Sequence, residues 1–567
     1  MEEFMKKNVA IGVQDFETVI VNNYFYIDKT KFIKEWWESG DSVTLITRPR
    51  RFGKTLNMSM LDYFFSNHHA DRRDLFEKYD IWRDEKYQLL QGTYPVINLS
   101  FANVKENSYQ GAKEKIYQII VELYEENKFF LNEGILEGTE ADFFRSVNME
   151  MKETTATQAI YKLCKFLSRY YGKKVIILLD EYDTPMQEAY VYGFWEELVF
   201  FTRSLFNSTF KTNPYIERGL MTGITRVSKE SIFSDLNHLK VVTTTSDAYA
   251  TAFGFTEEEV FSSLEECGLG EEKVKVKYWY DGFIFGNHTD IYNPWSVLNF
   301  LDTGRYAPYW VNTSGNRLVS KLIQEGNKKI KITFEELLHG KSIRCLIDEQ
   351  IVYHQLEKSE SAVWSLLLAS GYLKVLHYEK GDEMQGTAYP EYELQITNNE
   401  VRQMFLRMVN DWFGETQGNY NDFVKAMLRG NSKEMNVYMN RVARDVFSYF
   451  DSGKRPSDEA PERFYHGFVL GLIVDLARDY VVTSNRESGF GRYDVMIEPK
   501  DKAKDAFILE FKVHDPEDEK DLKETVEAAL KQIEEKEYVS SLIAKGIAEG
   551  NIHKYGFAFE GKKVLIG

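Results

Sequence analysis

Short apolar runs alternate with longer helix-periodic stretches over the first 230 or so positions. VTLIT at 43–47, YPVINLSF at 94–101, KVIILLDEYD at 174–183 and GLMTGITRV at 219–227 are β-branched and apolar, as strands are. Between them LNMSMLDYFF, GAKEKIYQIIVELYEEN and ATQAIYKLCKFLSRYY place apolar residues at helical spacing. Strands separated by helices predict βαβ units and a parallel sheet. Near-continuous apolar strands such as VIILL predict a sheet covered on both faces.

The character changes near Thr256. Thr256 and Glu259 have the spacing of a capping box at a helix start. The segment YWYDGFIFGNHTDIYNPWSVLNFL mixes turns, short strands and a helix from about Pro294, which suggests a small winged-helix or helical region. Residues 315–450 read as mostly helical, with a strand pair at GYLKVLHYEK and YPEYELQIT. The polar stretch DSGKRPSDEAPE at 451–462 reads as a linker, followed by a last α/β unit. The expected class is α/β multidomain, with divisions at 1–255, 256–340, 341–455 and 456–567.

Composition adjusts this picture only slightly. A chain of 567 residues is long enough for several domains at roughly 100–200 residues each. An aromatic share of 15% lets each domain build its own core. No run approaches a membrane span, and the first residues lack the apolar core of a secretory signal. The cysteines, Cys164, Cys267 and Cys345, are scattered without a CxxC pair, so they read as small buried hydrophobes in a reducing, cytoplasmic setting. The net charge of −18 argues against general nucleic-acid affinity, unless a local basic groove or bound magnesium inverts the field.

Two constellations carry chemistry. The first is Arg48-Pro49-Arg50-Arg51-Phe52-Gly53-Lys54-Thr55, which matches the phosphate-loop pattern GxxxxGK[ST] except that Arg48 stands at the first Gly. Gly53 permits close backbone approach to phosphate, Lys54 supplies charge to the β- and γ-phosphates, and the Thr55 hydroxyl can bind magnesium. Arg50 and Arg51 add positive charge or point outward. The strand Val175–Leu179 ends in Asp180-Glu181, the pattern in which an Asp holds magnesium and a Glu polarises the attacking water. Met221 to Arg226 reads as a third strand end, where Thr222 or Thr225 could serve as a polar sensor and Arg226 could either reach phosphate or form a surface salt bridge in a turn.

The blocks IGVQDFETVIVNNYFYIDKT, LITRPRRFGKTLNMSMLDYFF, LLDEYDTP and TGITRVSKESIFSDLNHL resemble the bacterial AAA-ATPase-like family. YWYDGFIFG and YNPWS are similar to its downstream blocks. The resemblance covers roughly residues 8–300 and implies a P-loop ATPase core using ATP and Mg2+. In that family RPRRFGK[ST] is the usual loop, so Arg48 is a family feature. The implied nucleotide-binding set is Arg50, Arg51, Phe52, Gly53, Lys54, Thr55, Thr222 and Arg226. Thr55 and Asp180 would hold the metal, and Glu181 would be the base.

The second constellation lies near the C-terminus. GRYDVMI carries Asp494, and AFILEFKV carries Glu510 and Lys512, which fall two apart and so share one face of a strand. Asp494 and Glu510 can bind magnesium, and Lys512 can orient water or neutralise developing charge. Glu462 on a preceding helix could reach the same metal, and Gln532 on a following helix could serve as an accessory. Residues 462–567 resemble a PD-(D/E)XK nuclease-like domain, which implies Asp494, Glu510 and Lys512 as the catalytic set. His514, just beyond that strand, reads as a surface histidine. The Trp/Tyr cluster at 278–280 reads as packed core rather than a base-stacking platform.

The reading that follows is an ATP-binding, ATP-hydrolysing chain coupled to a magnesium-dependent nuclease-like domain acting on nucleic acid, with no membrane partner and room for a homo-oligomer. The alternative is a nucleotide-dependent switch whose C-terminal domain binds a partner without cutting.

Overall fold

A computed structural model describes residues 8–226, 238–311, 317–324, 328–338, 340–347, 359–379, 391–412, 420–446, 479–484, 487–488, 491–492, 495–516, 518–536, 538–560 and 563–567, with residues 233, 236, 356, 469, 473 and 476 singly. The chain forms two compact units. One comprises residues 1–319 and 342–402, the other residues 320–341 and 403–567.

The first unit is built on five parallel strands. They are β1 (Val43–Thr47), β2 (Val96–Ser100), β3 (Val175–Asp180), β4 (Ile216–Gly223) and β5 (Leu239–Val242), in the order β2-β3-β4-β1-β5. Every residue of β1 and β3 is buried, as expected for apolar strands covered on both faces. Helices Lys54–Phe65, Tyr109–Glu126 and Glu153–Tyr171 form as their periodicity predicts. The sheet order places β4 between β1 and β3, so the ends of all three strands converge on one edge.

Two details depart from the sequence reading. The fourth strand starts at Ile216 and stops at Gly223, so Ile224-Thr225-Arg226 is a turn. β5 was not anticipated. It is a four-residue edge strand with only Val242 buried, too short and mixed for a periodic signal.

After Thr256, the predicted capping box is present on helix Glu257–Glu266. A small antiparallel sheet of β6 (Phe255–Thr256), β7 (Phe283–Phe285) and β8 (His288–Tyr292) follows, and Asn293 caps helix Pro294–Thr303. Tyr280 and its neighbour Trp279 pack in this core, whereas Tyr278 is exposed. A second small sheet contains β9 (Ile343–Leu346), β10 (Leu373–Glu379) and β11 (Glu391–Ile396), with the anticipated strand pair antiparallel. Between β9 and β10 lies helix Glu360–Ala369.

The second unit has the short ribbon β13 (Glu487–Ser488) and β14 (Gly491–Arg492) beside a mixed five-stranded sheet. That sheet runs β12 (Tyr480–Ser484), β15 (Val495–Pro499), β16 (Ala506–Val513), β17 (Ile552–Glu560) and β18 (Lys563–Ile566), with β16 and β17 parallel. Phe507, Leu509 and Phe511 point to one face and pack with Phe423, Met427 and Met439 of two helices. Asn436 and Asn440 cover the edge strand, accepting from Ile566 and Val564 N–H at 2.8 and 3.0 Å. The opposite face buries Ile508 and Met496 under Ile533, Tyr538 and Leu542. Of the cysteines, Cys164 is buried, but Cys267 and Cys345 are only half-buried, and all are free thiols.

Candidate functional site

The loop after β1 is held by its own side chains. Arg48 is fully buried. Its guanidinium donates to the carbonyls of Thr47 (2.9 Å), Thr243 (2.6 Å) and Ala248 (3.2 Å) and lies 4.6 Å from the centre of the Phe285 ring. Burial lowers its pKa, and no carboxylate offsets the charge at bonding distance among these contacts. An arginine thus replaces the first Gly because it ties the strand end to the 243–248 segment. Phe52 is 1% exposed and sits between Phe283 and Phe285 at 4.7 and 5.4 Å between ring centres. Its side chain serves the core, leaving its backbone for any ligand.

Arg51 (φ 64°) and Gly53 (φ 78°) both take left-handed backbone, which costs nothing at glycine and is uncommon elsewhere. Gly53 caps the helix Lys54–Phe65, so the free N–H groups of its first turn face the loop. Lys54 is 5% exposed and donates to the carbonyls of Arg48 (3.0 Å) and Pro49 (2.9 Å). Burial lowers its pKa, while Glu181, Asp180 and Asp183 counter that shift. Arg51 lies over the Trp295 ring at 4.2 Å.

The strand ends meet at Asp180. Thr55 Oγ1 donates to Asp180 Oδ2 at 2.6 Å, and Thr222 Oγ1 donates to Oδ1. Burial raises the Asp180 pKa, and the two threonine bonds pull it back. Glu181 has a positive φ of 51°, a strained backbone of the kind concentrated at functional sites, and accepts from Thr184 Oγ1 at 3.1 Å. Asp183 is fully buried and accepts from Thr225 N (2.8 Å), Thr225 Oγ1 (2.7 Å) and Ile224 N (3.1 Å). The Tyr182 hydroxyl donates to Thr225 O at 2.8 Å. The four residues Asp180 to Asp183 therefore fasten β3 to both Thr55 and the turn after β4.

Oxygen donors in this arrangement suit magnesium, which takes one or two protein ligands and completes its shell with phosphate and water. Thr55 and Asp180 are the pair that fit. Among the described residues no three His, Cys, Asp or Glu side chains converge as a ready-made metal cage.

In the second unit, alternation along β16 places Glu510 and Lys512 on the face opposite Phe511. Glu510 is 2% exposed, and Gln532 on helix Leu522–Glu535 donates to its Oε1. The helix lies close because β17 has glycine beside it. A Cβ on Gly556 would stand 2.8 Å from Val526 O and 3.1 Å from Ala529 Cβ. Lys512 is half-buried. Asp494 and Glu462 lie outside the described residues.

Two stretches of the chain match known family models. Residues 10–233 match the model described as predicted AAA-ATPase, and residues 460–567 match the PD-(D/E)XK nuclease superfamily. The chain carries an AAA-ATPase-like domain and a C-terminal PD-(D/E)XK nuclease-superfamily domain. A similar protein, an uncharacterized protein in the vnfD 5' region of Azotobacter chroococcum mcd 1, is 24% identical over 399 residues, covering 70% of this chain and 69% of the relative.

Within the AAA-ATPase-like domain, Lys54, Thr55, Asp180 and Thr222 come together, and Glu181 stands next to them. Arg50 and Arg226 separate. Arg50 lines a cavity with Gln187, Ile224 and Thr225, whereas Arg226 lines another with Thr47, Thr243, Thr244 and Thr245. Thr222 spends its hydroxyl on Asp180, and Thr225 spends its own on Asp183.

Sequence reasoning gave no role to Asp183, Gln187 or Asn293. The second Asp of DEYD and the Asn-Pro of YNPW, a helix N-cap followed by Pro at the first helical position, were the available signals. Gln187 had none. His514 in the nuclease-superfamily domain corrects an expectation. It is 8% exposed rather than on the surface, with Nδ1 at 3.1 Å from Thr525 Oγ1 and 3.3 Å from Glu519 Oε2. It lies on the Glu510 face, which the Leu522–Glu535 helix covers, and this tertiary packing buries it.

Proposed function

We propose that the chain binds ATP at the loop 48–55 and hydrolyses it with magnesium, and that its nuclease-superfamily domain cleaves nucleic acid. The observation that carries the ATP reading is the contact of Thr55 with Asp180 beside Lys54. A hydroxyl and a carboxylate from separate elements meet next to a buried lysine at a helix N-terminus. Lys54 would neutralise the β- and γ-phosphates. Thr55 and Asp180 would hold magnesium, which when bound neutralises phosphate charge as a Lewis acid. Glu181 would accept the proton of the attacking water. Asp494, Glu510 and Lys512 would form the cleavage set of the C-terminal domain, with Gln532 orienting Glu510 and Glu462 as an outer carboxylate. The gathering of both domains on one chain supports a coupled activity.

The test is the purified full chain with magnesium, labelled ATP and labelled DNA or RNA. Lys54→Ala is expected to abolish ATP binding. Glu181→Gln is expected to keep binding and slow hydrolysis by about a hundredfold or more. Cleavage unaltered in Glu510→Ala and Asp494→Ala would remove the nuclease assignment.

A further inference from the structure

Arg50 is fixed at both ends. Its carbonyl accepts from Asn293 Nδ2 at 3.2 Å, and its Nη2 donates to Gln187 Oε1 at 3.1 Å. Gln187 is committed on its other side, where Nε2 donates to Asp183 Oδ2 at 3.2 Å. The amide can take only this orientation. Flipped, its NH2 would face a guanidinium that only donates, and its carbonyl would face a carboxylate that only accepts. Asp183 in turn holds the N–H groups of Ile224 and Thr225. A continuous polar chain therefore runs from the phosphate loop through helix Thr184–Tyr192 to the turn after β4. Arg50, Gln187, Ile224 and Thr225 all line one cavity, whose lining also includes Trp310 and Tyr372.

We infer that Gln187 is a positioning residue that makes the site distinguish a nucleoside triphosphate from a diphosphate, by holding the Arg50 guanidinium and coupling it to the Ile224–Thr225 turn. This inference rests on the ATP reading of the same site. Arg50 is on the loop that carries Lys54, and its guanidinium is held by Gln187 beside Ile224 and Thr225, just beyond the end of β4 that carries Thr222. That is the side on which the last phosphate of a triphosphate is handled in phosphate-loop enzymes. An unheld arginine would spread over many rotamers, whereas one fixed through a charge-assisted hydrogen bond presents its charge at little further ordering cost. A load on Arg50 then passes through Gln187 and Asp183 to the backbone of the turn.

The experiment compares the affinities of fluorescent ATP and ADP analogues, and the steady-state turnover, for the full-length wild type, Gln187→Leu, Arg50→Ala and the double variant. Gln187→Leu should lower the triphosphate-over-diphosphate preference by about tenfold, the scale of a hydrogen bond to a charged group. Diphosphate affinity should stay essentially unchanged, which also shows that the loop remains folded. The double variant should match Arg50→Ala alone, because both changes remove one unit. An unchanged preference in Gln187→Leu, or additive losses in the double variant, would overturn the inference while leaving ATP binding intact. Wild type that binds neither nucleotide would overturn the ATP reading and this inference with it. Should Gln187→Leu fail to fold, Gln187→Met has similar length, lacks both polar atoms, and must show the same loss of preference.

Discussion

At the residue scale, the buried charges of Arg48, Lys54 and Asp183 sit where other groups offset the cost of losing water. Arg48 does it with three backbone carbonyls, Lys54 with two, and Asp183 with backbone N–H groups and a threonine hydroxyl. Glu400 is the clearest titrating case. It is fully buried, accepts from Ser296 Oγ (2.8 Å) and Trp310 N (2.8 Å), and burial still raises its pKa to about 8. In the unfolded chain it titrates near the ordinary glutamate value, so between that value and about 8 the folded state binds more protons. Stability is therefore greatest at the acid end of this window and falls as pH rises through it. Asp281, raised by burial to about 6, acts in the same direction over a lower window. The denaturation midpoint is expected to drop from pH 5.5 to pH 8, by up to about 1.4 kcal/mol per pH unit from Glu400. Glu400→Gln should flatten that slope, and equal slopes would show that Glu400 stays charged in the fold.

At the scale of elements, the loop Arg48–Thr55 is shaped from outside. Phe52 inserts between Phe283 and Phe285, Asn293 bonds the Arg50 carbonyl, and a Cβ on Gly371 would stand 2.8 Å from Pro49 Cγ. Phe52→Ala should cost about 3–5 kcal/mol by leaving a cavity in this cluster, measurable by chemical denaturation. ATP affinity should fall with it even though the Phe52 side chain faces the core. In the second unit, Gly556→Val would push Val526 and Ala529 outward and draw Gln532 from Glu510. The expected result is a destabilised domain with lost metal-dependent cleavage, and a variant that kept both would exclude helix approach as the requirement.

At the scale of the whole molecule, the two families fall in two compact units with their own cores. Two unfolding steps are expected in calorimetry. MgATP at about a hundred times its Kd should raise only one of them, by about 3 kcal/mol of stabilisation. Glu510→Ala should leave the ATPase rate unchanged. A single step that moves as a whole with MgATP would show instead that the units unfold together.

The sequence alone determined the local elements and the residue types available for chemistry. β1 and β3 were legible because their apolar runs are bounded by turns, and the helix at Thr256 because its cap is written in two residues. Lys54, Thr55, Asp180 and Glu181 could be nominated from sequence because phosphate and magnesium chemistry calls for those types at strand ends, and the fold brings Thr55 and Asp180 into contact. Tertiary structure decided what those positions do with their neighbours. Only the packing of β4 between β1 and β3 brings Thr222 onto Asp180 and the Ile224–Thr225 turn onto Asp183. Only the approach of residues 243–248 shows Arg48 as an internal brace, and only the Leu522–Glu535 helix buries His514. The strand-end and Arg48 contacts join residues far apart in the chain, and the burial of His514 depends on how a helix packs on the sheet, so periodicity and spacing hold no trace of them. Gln187, midway along a helix with no motif around it, gained its partners from the fold.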